Sequence, residues 1–224
     1  MKNMASGLWF YGTSHKYVSE QAIDYLGKAD SKIITVHLGN GCSMAAIKDG
    51  KCMDSSMGLG PMNGLIMGTR AGDLDQSVIF HLVNQLGYSL DEVNTILNKK
   101  SGMLGLTGFS DMRDIRKLYD EGDKTAILAY AMYAYRIRKY IGAFAAAMNG
   151  LDVLVFTAGV GENDRLTRKL VCQDMDFLGI RLNESKKRNT PKKAYTRSIH
   201  PILRSRFWSF LPMRNWKLRC SALS

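Results

Sequence analysis

The hydrophobic pattern of the chain changes period several times, and each change marks an element. From Ile33 to Leu38 apolar and β-branched residues run almost unbroken, which predicts a short strand, and Gly39-Asn40-Gly41 follows at once as a tight turn. Ser43 to Ile47 then reads as the returning arm of a hairpin, and Lys48-Asp49-Gly50-Lys51 closes the hairpin region of 33–55. Helical periodicity predicts a helix from Tyr17 to about Leu26, with Thr13 or Ser14 as its cap. It predicts further helices over Gln76–Leu86, from Ser89 to near Leu97, and from Ser110 or Asp111 through Leu118. Lys99 to Gly108 reads as a flexible glycine-containing loop. The longest periodic stretch, Lys124–Met148, is alanine-rich with a wide apolar face, so it predicts a core helix closed by Gly150. Val153–Thr157 is a wholly apolar strand running into Ala158-Gly159-Val160-Gly161-Glu162-Asn163, and a helix is predicted from Asp164 or Arg165 to about Cys172. Residues 12–185 thus read as one α/β unit with some antiparallel strands.

Composition modifies this picture at one end only. All 20 acidic residues lie at or before Glu184, whereas 11 of the 31 basic residues follow it, so the net charge of +11 belongs to the tail. A basic surface across the domain does not follow, and the reading is of no nucleic-acid partner. Arg136, Arg138 and Lys139 interrupt the most apolar region, which argues against a membrane span, and the opening residues carry no secretory pattern. The four cysteines show no C-x-x-C spacing, as expected of reduced thiols in a cytoplasmic protein.

Candidate chemistry sits where glycine interrupts apolar runs. Glycine at 39 and 41 removes Cβ atoms, so an anion can approach backbone N–H groups, and His37 and Asn40 add polar groups to the same rim. Strand, glycine-rich turn and helix recur at 153–172, an arrangement that places phosphate or nucleoside groups beside a helix start. In Met67-Gly68-Thr69-Arg70-Ala71-Gly72-Asp73-Leu74-Asp75 the arginine and two aspartates suit either an anionic ligand or a surface salt-bridge turn. Taken alone, these residues favour the salt-bridge turn.

Five segments in register resemble the acetate kinase group of short-chain carboxylate kinases. They are Gly12-Thr13-Ser14-His15, Val36–Gly41, Met67–Asp75, Ser110-Asp111-Met112-Arg113 and Phe156–Asn163, and the match runs from about residue 10 to about 193. The resemblance implies the second, C-terminal ribonuclease H-like domain of the acetate and sugar kinase, heat-shock-70 and actin superfamily, without most of its partner domain. It implies phosphoryl transfer between ATP and acetate with Mg²⁺, in the cytoplasm, with propionate or butyrate as alternative acids, and a homodimer in the intact family. By resemblance, His37, Leu38, Gly39, Asn40 and Gly41 contact the phosphates. Asp111, Met112 and Arg113 hold the adenosine, and Gly159, Val160, Gly161, Glu162 and Asn163 pass beside the nucleotide. Arg70 matches the arginine that stabilises the transition state.

Two departures from the family pattern stand out. Tyr11 occupies the place of a family histidine that helps stabilise the transferring group, and a phenol carries no positive charge near neutral pH. The family's metal-site positions have no counterpart here, which leaves a catalytically dead ATP-binding remnant as the alternative function. Residues 1–11 form an atypical start, 12–193 the nucleotide-binding domain, and 194–224 a basic tail expected to be out of frame. Codons chosen for Ala194–Ser198, read from the last nucleotide of Lys193, spell Gly-Ile-His-Glu-Ile, a typical family continuation. With codons chosen likewise, the same shift across Phe207–Arg219 can spell a stretch containing the family's Pro-Thr-Asp-Glu-Glu. Sequencing the locus tests this expectation.

Overall fold

A computed structural model describes residues 12–181 and, for the backbone alone, the strand at 206–209. The sheet is built from β1 (Lys32–Leu38), β2 (Cys42–Lys48), β3 (Lys51–Ser55), β4 (Val153–Thr157) and β5 (Arg206–Ser209), in the order β3-β2-β1-β4-β5. β1, β2 and β3 are joined antiparallel, and β4 is parallel to both β1 and β5. Short turns permit the antiparallel pairs, whereas the parallel β1–β4 pair needs the long helical crossover that lies between them in sequence.

The strand period of two sorts side chains onto two faces. Ile34, Val36, Leu38, Leu154 and Phe156 join one buried cluster together with Tyr133, Ile137, Ile141 and Phe144 of α6 (Lys124–Met148). Ile33, Ala45, Ile47, Val153 and Val155 form a second cluster with Val18 and Ala22 of α1 (Thr13–Leu26). Helices therefore cover both faces of the central strands, which accounts for the near-continuous apolar runs of β1 and β4. α6 spans the predicted residues; Asp123 caps it by accepting from the Ala126 N–H at 2.7 Å, and Asn149 ends it in the left-handed region. Truncating Phe144, which is 2% exposed, to alanine costs about 3–5 kcal/mol.

The remaining α-helices among the described residues are α2 (Ser77–Asn84), α3 (Leu90–Lys99), α4 (Gly102–Thr107), α5 (Met112–Asp120), α7 (Ala158–Asn163) and α8 (Arg165–Cys172), and a 3₁₀ turn spans Asp176–Leu178. Ser89 and Glu92 form the expected capping box of α3, and Asp111 and Asp164 cap α5 and α8. Three expectations need correction. α1 starts at Thr13 and not at Tyr17, and neither Thr13 nor Ser14 caps it: the Ser14 hydroxyl is taken up by His37, 2.9 Å away. Residues 102–107, expected as a flexible loop, are helical because their leading N–H groups bond to the 67–70 segment, a contact far away in sequence. The glycine-rich turn after β4 closes into the single helical turn α7.

Among the described residues no helix is long and apolar enough to cross a membrane, and Cys42, Cys52 and Cys172 are free thiols. The expectations for residues 1–11, 182–205 and 210–224, and for the side chains of 206–209, lie outside the described residues.

Candidate functional site

The parallel strands β1 and β4 end side by side, with His37 in register with Thr157. Ligands in open α/β sheets bind beyond such carboxyl ends. After β1 the chain turns through Gly39-Asn40-Gly41, closed by the Gly39 N–H donating to the Gly41 carbonyl at 3.0 Å. A Cβ on Gly39 would lie 3.4 Å from the Gly41 oxygen, 3.7 Å from His37 Nε2 and 3.9 Å from Ala158 Cβ, so the turn, the histidine and the start of α7 crowd one point.

The 67–72 loop docks onto this turn. Gly68 N–H donates to the Asn40 carbonyl at 3.0 Å, and a Cβ on Gly68 would collide with Asn40 Oδ1 and sit 3.1 Å from the Ser110 carbonyl. From the loop, Arg70 reaches over the turn until its Nη1 is 3.5 Å from where a Gly41 Cβ would be. Nη1 donates to the Pro61 carbonyl at 3.4 Å, and Arg70 forms no ion pair among the described residues. The salt-bridge turn favoured on residues alone does not form. Asp73 pairs instead with Arg136 at 3.4 Å and accepts from Tyr140 at 2.8 Å, and Asp75 accepts from Ser77. A cleft of about 300 Å³ results, lined by His37, Gly39, Asn40, Gly41, Cys42, Ser43, Met57, Pro61 and Arg70.

The other predicted residues frame this cleft unevenly. Asp111 accepts from Arg113 N–H at 2.9 Å and from its Nε at 3.0 Å, and the guanidinium hydrogen bond holds the carboxyl down to about 2. Met112 and Leu38 are buried in the core and offer the cleft no side chain. Within α7 Gly161 is buried, Val160 packs on the core, and Asn163 donates to the Gly159 carbonyl at 2.7 Å. Glu162 accepts from the Ala158 N–H at 3.1 Å and the Thr157 hydroxyl at 3.3 Å; burial raises its carboxyl above the ordinary value. Ala158 itself adopts φ 67, a left-handed conformation that this carboxylate bond helps to hold. Tyr11 lies outside the described residues.

Several residues escaped the sequence reading. Arg136 donates to the Gly64 carbonyl at 3.0 Å and to the Asp73 carbonyl at 3.2 Å, so α6 anchors the loop that carries Arg70. Arg168 caps α7 by donating to the Gly161 and Glu162 carbonyls at 2.7 and 2.8 Å. His15, 2% exposed, bonds Thr35 Oγ1 through Nδ1 at 2.7 Å and Ser43 Oγ through Nε2 at 2.8 Å, and burial lowers its pKa to about 4. Burial lowers that of His37 as well. The hairpin register alone could have shown that Ser43 faces His37.

The described residues contain no group of three or more His, Cys, Asp or Glu side chains able to hold a metal ion. The cleft presents a polar rim, a glycine turn and one guanidinium that has no carboxylate partner among the described residues.

Proteins similar to this chain are kinases by name. The chain is 65% identical over 177 residues to the acetate kinase of Flavobacterium johnsoniae, matching 79% of this chain and 45% of that protein. A crystal structure of Porphyromonas gingivalis acetate kinase superimposes with a TM-score of 0.84 at 45% identity, covering 90% of this chain and 51% of that one. A propionate kinase from Francisella tularensis superimposes with a TM-score of 0.82 at 39% identity, with the same coverage of 90% and 51%. The chain spans about half the length of the relatives it matches. The fold is the ribonuclease H-like domain of the acetate and sugar kinase, heat-shock-70 and actin superfamily. Residues 7–201 match the acetokinase family, and with these likenesses the chain belongs to that family.

Proposed function

We propose that this chain forms the nucleotide-binding half of an acetate kinase, which transfers the γ-phosphoryl group of ATP to acetate and runs in reverse from acetyl phosphate and ADP. The observation that carries the reading is Arg70, a guanidinium without an ion-pair partner among the described residues, poised over the Gly39–Gly41 turn at the ends of two parallel strands. In the reaction an acetate oxygen bonds to the γ-phosphorus while the bond from that phosphorus to the ADP oxygen breaks. Charge spreads over the three equatorial oxygens, where a fixed guanidinium stabilises it. His37 and the Gly39–Gly41 turn take the phosphates, while Asp111–Arg113 and Gly159–Asn163 flank the nucleoside. Mg²⁺ enters this reading with ATP, as part of the substrate. Propionate or butyrate is the alternative acceptor, and the likeness to a propionate kinase supports keeping it in the test.

A second reading is ATP binding without turnover, since a nucleotide cleft by itself neither aligns an acceptor nor excludes water. The likeness to acetate kinases and the lack of paired cysteine spacing in the sequence support a cytoplasmic setting. Outward apolar groups on α6 such as Leu128 and Tyr135, 57% and 63% exposed, support a homodimer. An acetyl-hydroxamate assay with ATP, Mg²⁺ and each of the three acids, run on this chain and its Tyr11→His variant beside ATP-binding calorimetry, decides between the readings. Turnover supports the kinase, binding alone supports the remnant, and absence of both refutes the proposal.

A further inference from the structure

His15 is a buried imidazole with a polar partner on each nitrogen, and those partners determine which nitrogen carries its proton. Thr35, His37 and Ser43 share one face of the sheet, because Thr35 and His37 alternate along β1 and Ser43 pairs with His37 across the hairpin. The first turn of α1 covers this polar patch: Ser14 bonds His37, and His15 bridges Thr35 and Ser43.

Thr35 is fully buried, and among the described residues its hydroxyl has no hydrogen-bond partner besides His15 Nδ1. A buried hydroxyl whose proton finds no acceptor is costly, so Thr35 donates to Nδ1 and Nδ1 is the acceptor. A neutral imidazole then carries its proton on Nε2, which donates to Ser43 Oγ at 2.8 Å. Burial keeps His15 neutral at physiological pH. The Ser43 oxygen therefore accepts the Nε2–H hydrogen bond, while its own proton has no other partner among the described residues. Ser43 lines the cleft together with Gly41 and Arg70.

We infer that Ser43 is a binding residue of this cleft, donating its hydroxyl proton to a phosphate oxygen of the nucleotide, and that His15 and Thr35 are positioning residues that direct that proton outward. The inference rests on the nucleotide reading of the cleft and adds a donor that the glycine turn and Arg70 do not supply. Reversing the tautomer would turn the Ser43 proton inward onto Nε2 and present only lone pairs to an anion.

Two measurements test it on the full chain. Long-range ¹H–¹⁵N spectra of the imidazoles are expected to show His15 protonated at Nε2; protonation at Nδ1 overturns the inference whatever the binding data show. Calorimetry with ATP and with adenosine as probes is expected to find that Ser43→Ala weakens ATP binding by about tenfold or more and leaves adenosine binding unchanged, with Ser43→Thr restoring most of the loss. Equal ATP affinity in Ser43→Ala and the parent chain overturns the inference alone, with the nucleotide reading intact. No ATP binding by the parent chain overturns both. Equal losses for ATP and adenosine would mark a general structural defect and also overturn it.

Discussion

Gly102 joins the fold to the site most directly, and its replacement by alanine has a calculable effect. It sits at φ 60, where an L-residue costs about 1–2 kcal/mol. A Cβ there would collide with the Met67 carbonyl and lie 2.6 Å from the Arg70 carbonyl, so α4 and the Arg70 loop have to separate. That separation strains the bonds from Ser101, Met103 and Leu104 N–H groups to the Thr69, Met67 and Gly68 carbonyls at 3.0, 2.8 and 2.9 Å. Weakening two of them at about 1 kcal/mol each brings the loss to roughly 3–4 kcal/mol, or roughly 6–16 °C in Tm for a chain of this size. Gly122 provides the control: it has φ 84 but nothing within 4 Å of its Cβ position, so Gly122→Ala carries the backbone cost alone. Urea unfolding followed by circular dichroism compares the two variants, and ATP calorimetry reads the displacement of Arg70. If Gly102→Ala melts like Gly122→Ala and binds ATP like the parent chain, the coupling between α4 and the Arg70 loop is refuted.

Three further outcomes are expected. His15, lowered from the ordinary 6.5 to about 4, favours folding while neutral; its contribution is complete above pH 6.5 and is lost as pH falls toward 4. Stability should drop by about 2 kcal/mol between pH 6.5 and 5, and a folded His15→Gln variant should show a flatter dependence in urea titrations at those pH values. Asp164, 13% exposed, accepts from Tyr130, Thr167 and the Leu166 N–H, so Asp164→Ala should cost about 3 kcal/mol in the same titrations, while a loss under 1 kcal/mol would contradict its role as a hub. Arg70→Ala should lower phosphoryl transfer about 10²–10³-fold in kcat with a smaller change in KM for ATP, measured in whichever form of the chain turns over. An effect confined to KM would place Arg70 in ground-state binding alone.

Much of the architecture was legible because it follows from local chemistry. The apolar runs of β1 and β4, the 25-residue face of α6, the Ser89–Glu92 capping box and the Asp111 and Asp164 caps are set by residues within a few positions of one another. Period and capping are local properties, so one chain with no partner displays them. The glycines at 39 and 41 likewise announced a tight turn, and five motifs in register pointed to the family. Contacts between residues far apart in sequence were not legible. That Arg70 lacks an ion-pair partner among the described residues depends on Arg136 and Tyr140 claiming Asp73 from more than 60 positions away. That residues 102–107 form a helix depends on carbonyls of 67–69, and that Ser14 leaves the helix cap depends on His37. In each case a polar group has one sequence-local option and one tertiary option, and the sheet and α6 decide which is satisfied. The sequence by itself determined the strands, most of the helices with their caps, and the positions of the glycine-rich turns. The tertiary structure decided the partners, because a buried donor or acceptor must be paired and only the packed chain sets which partner lies within reach.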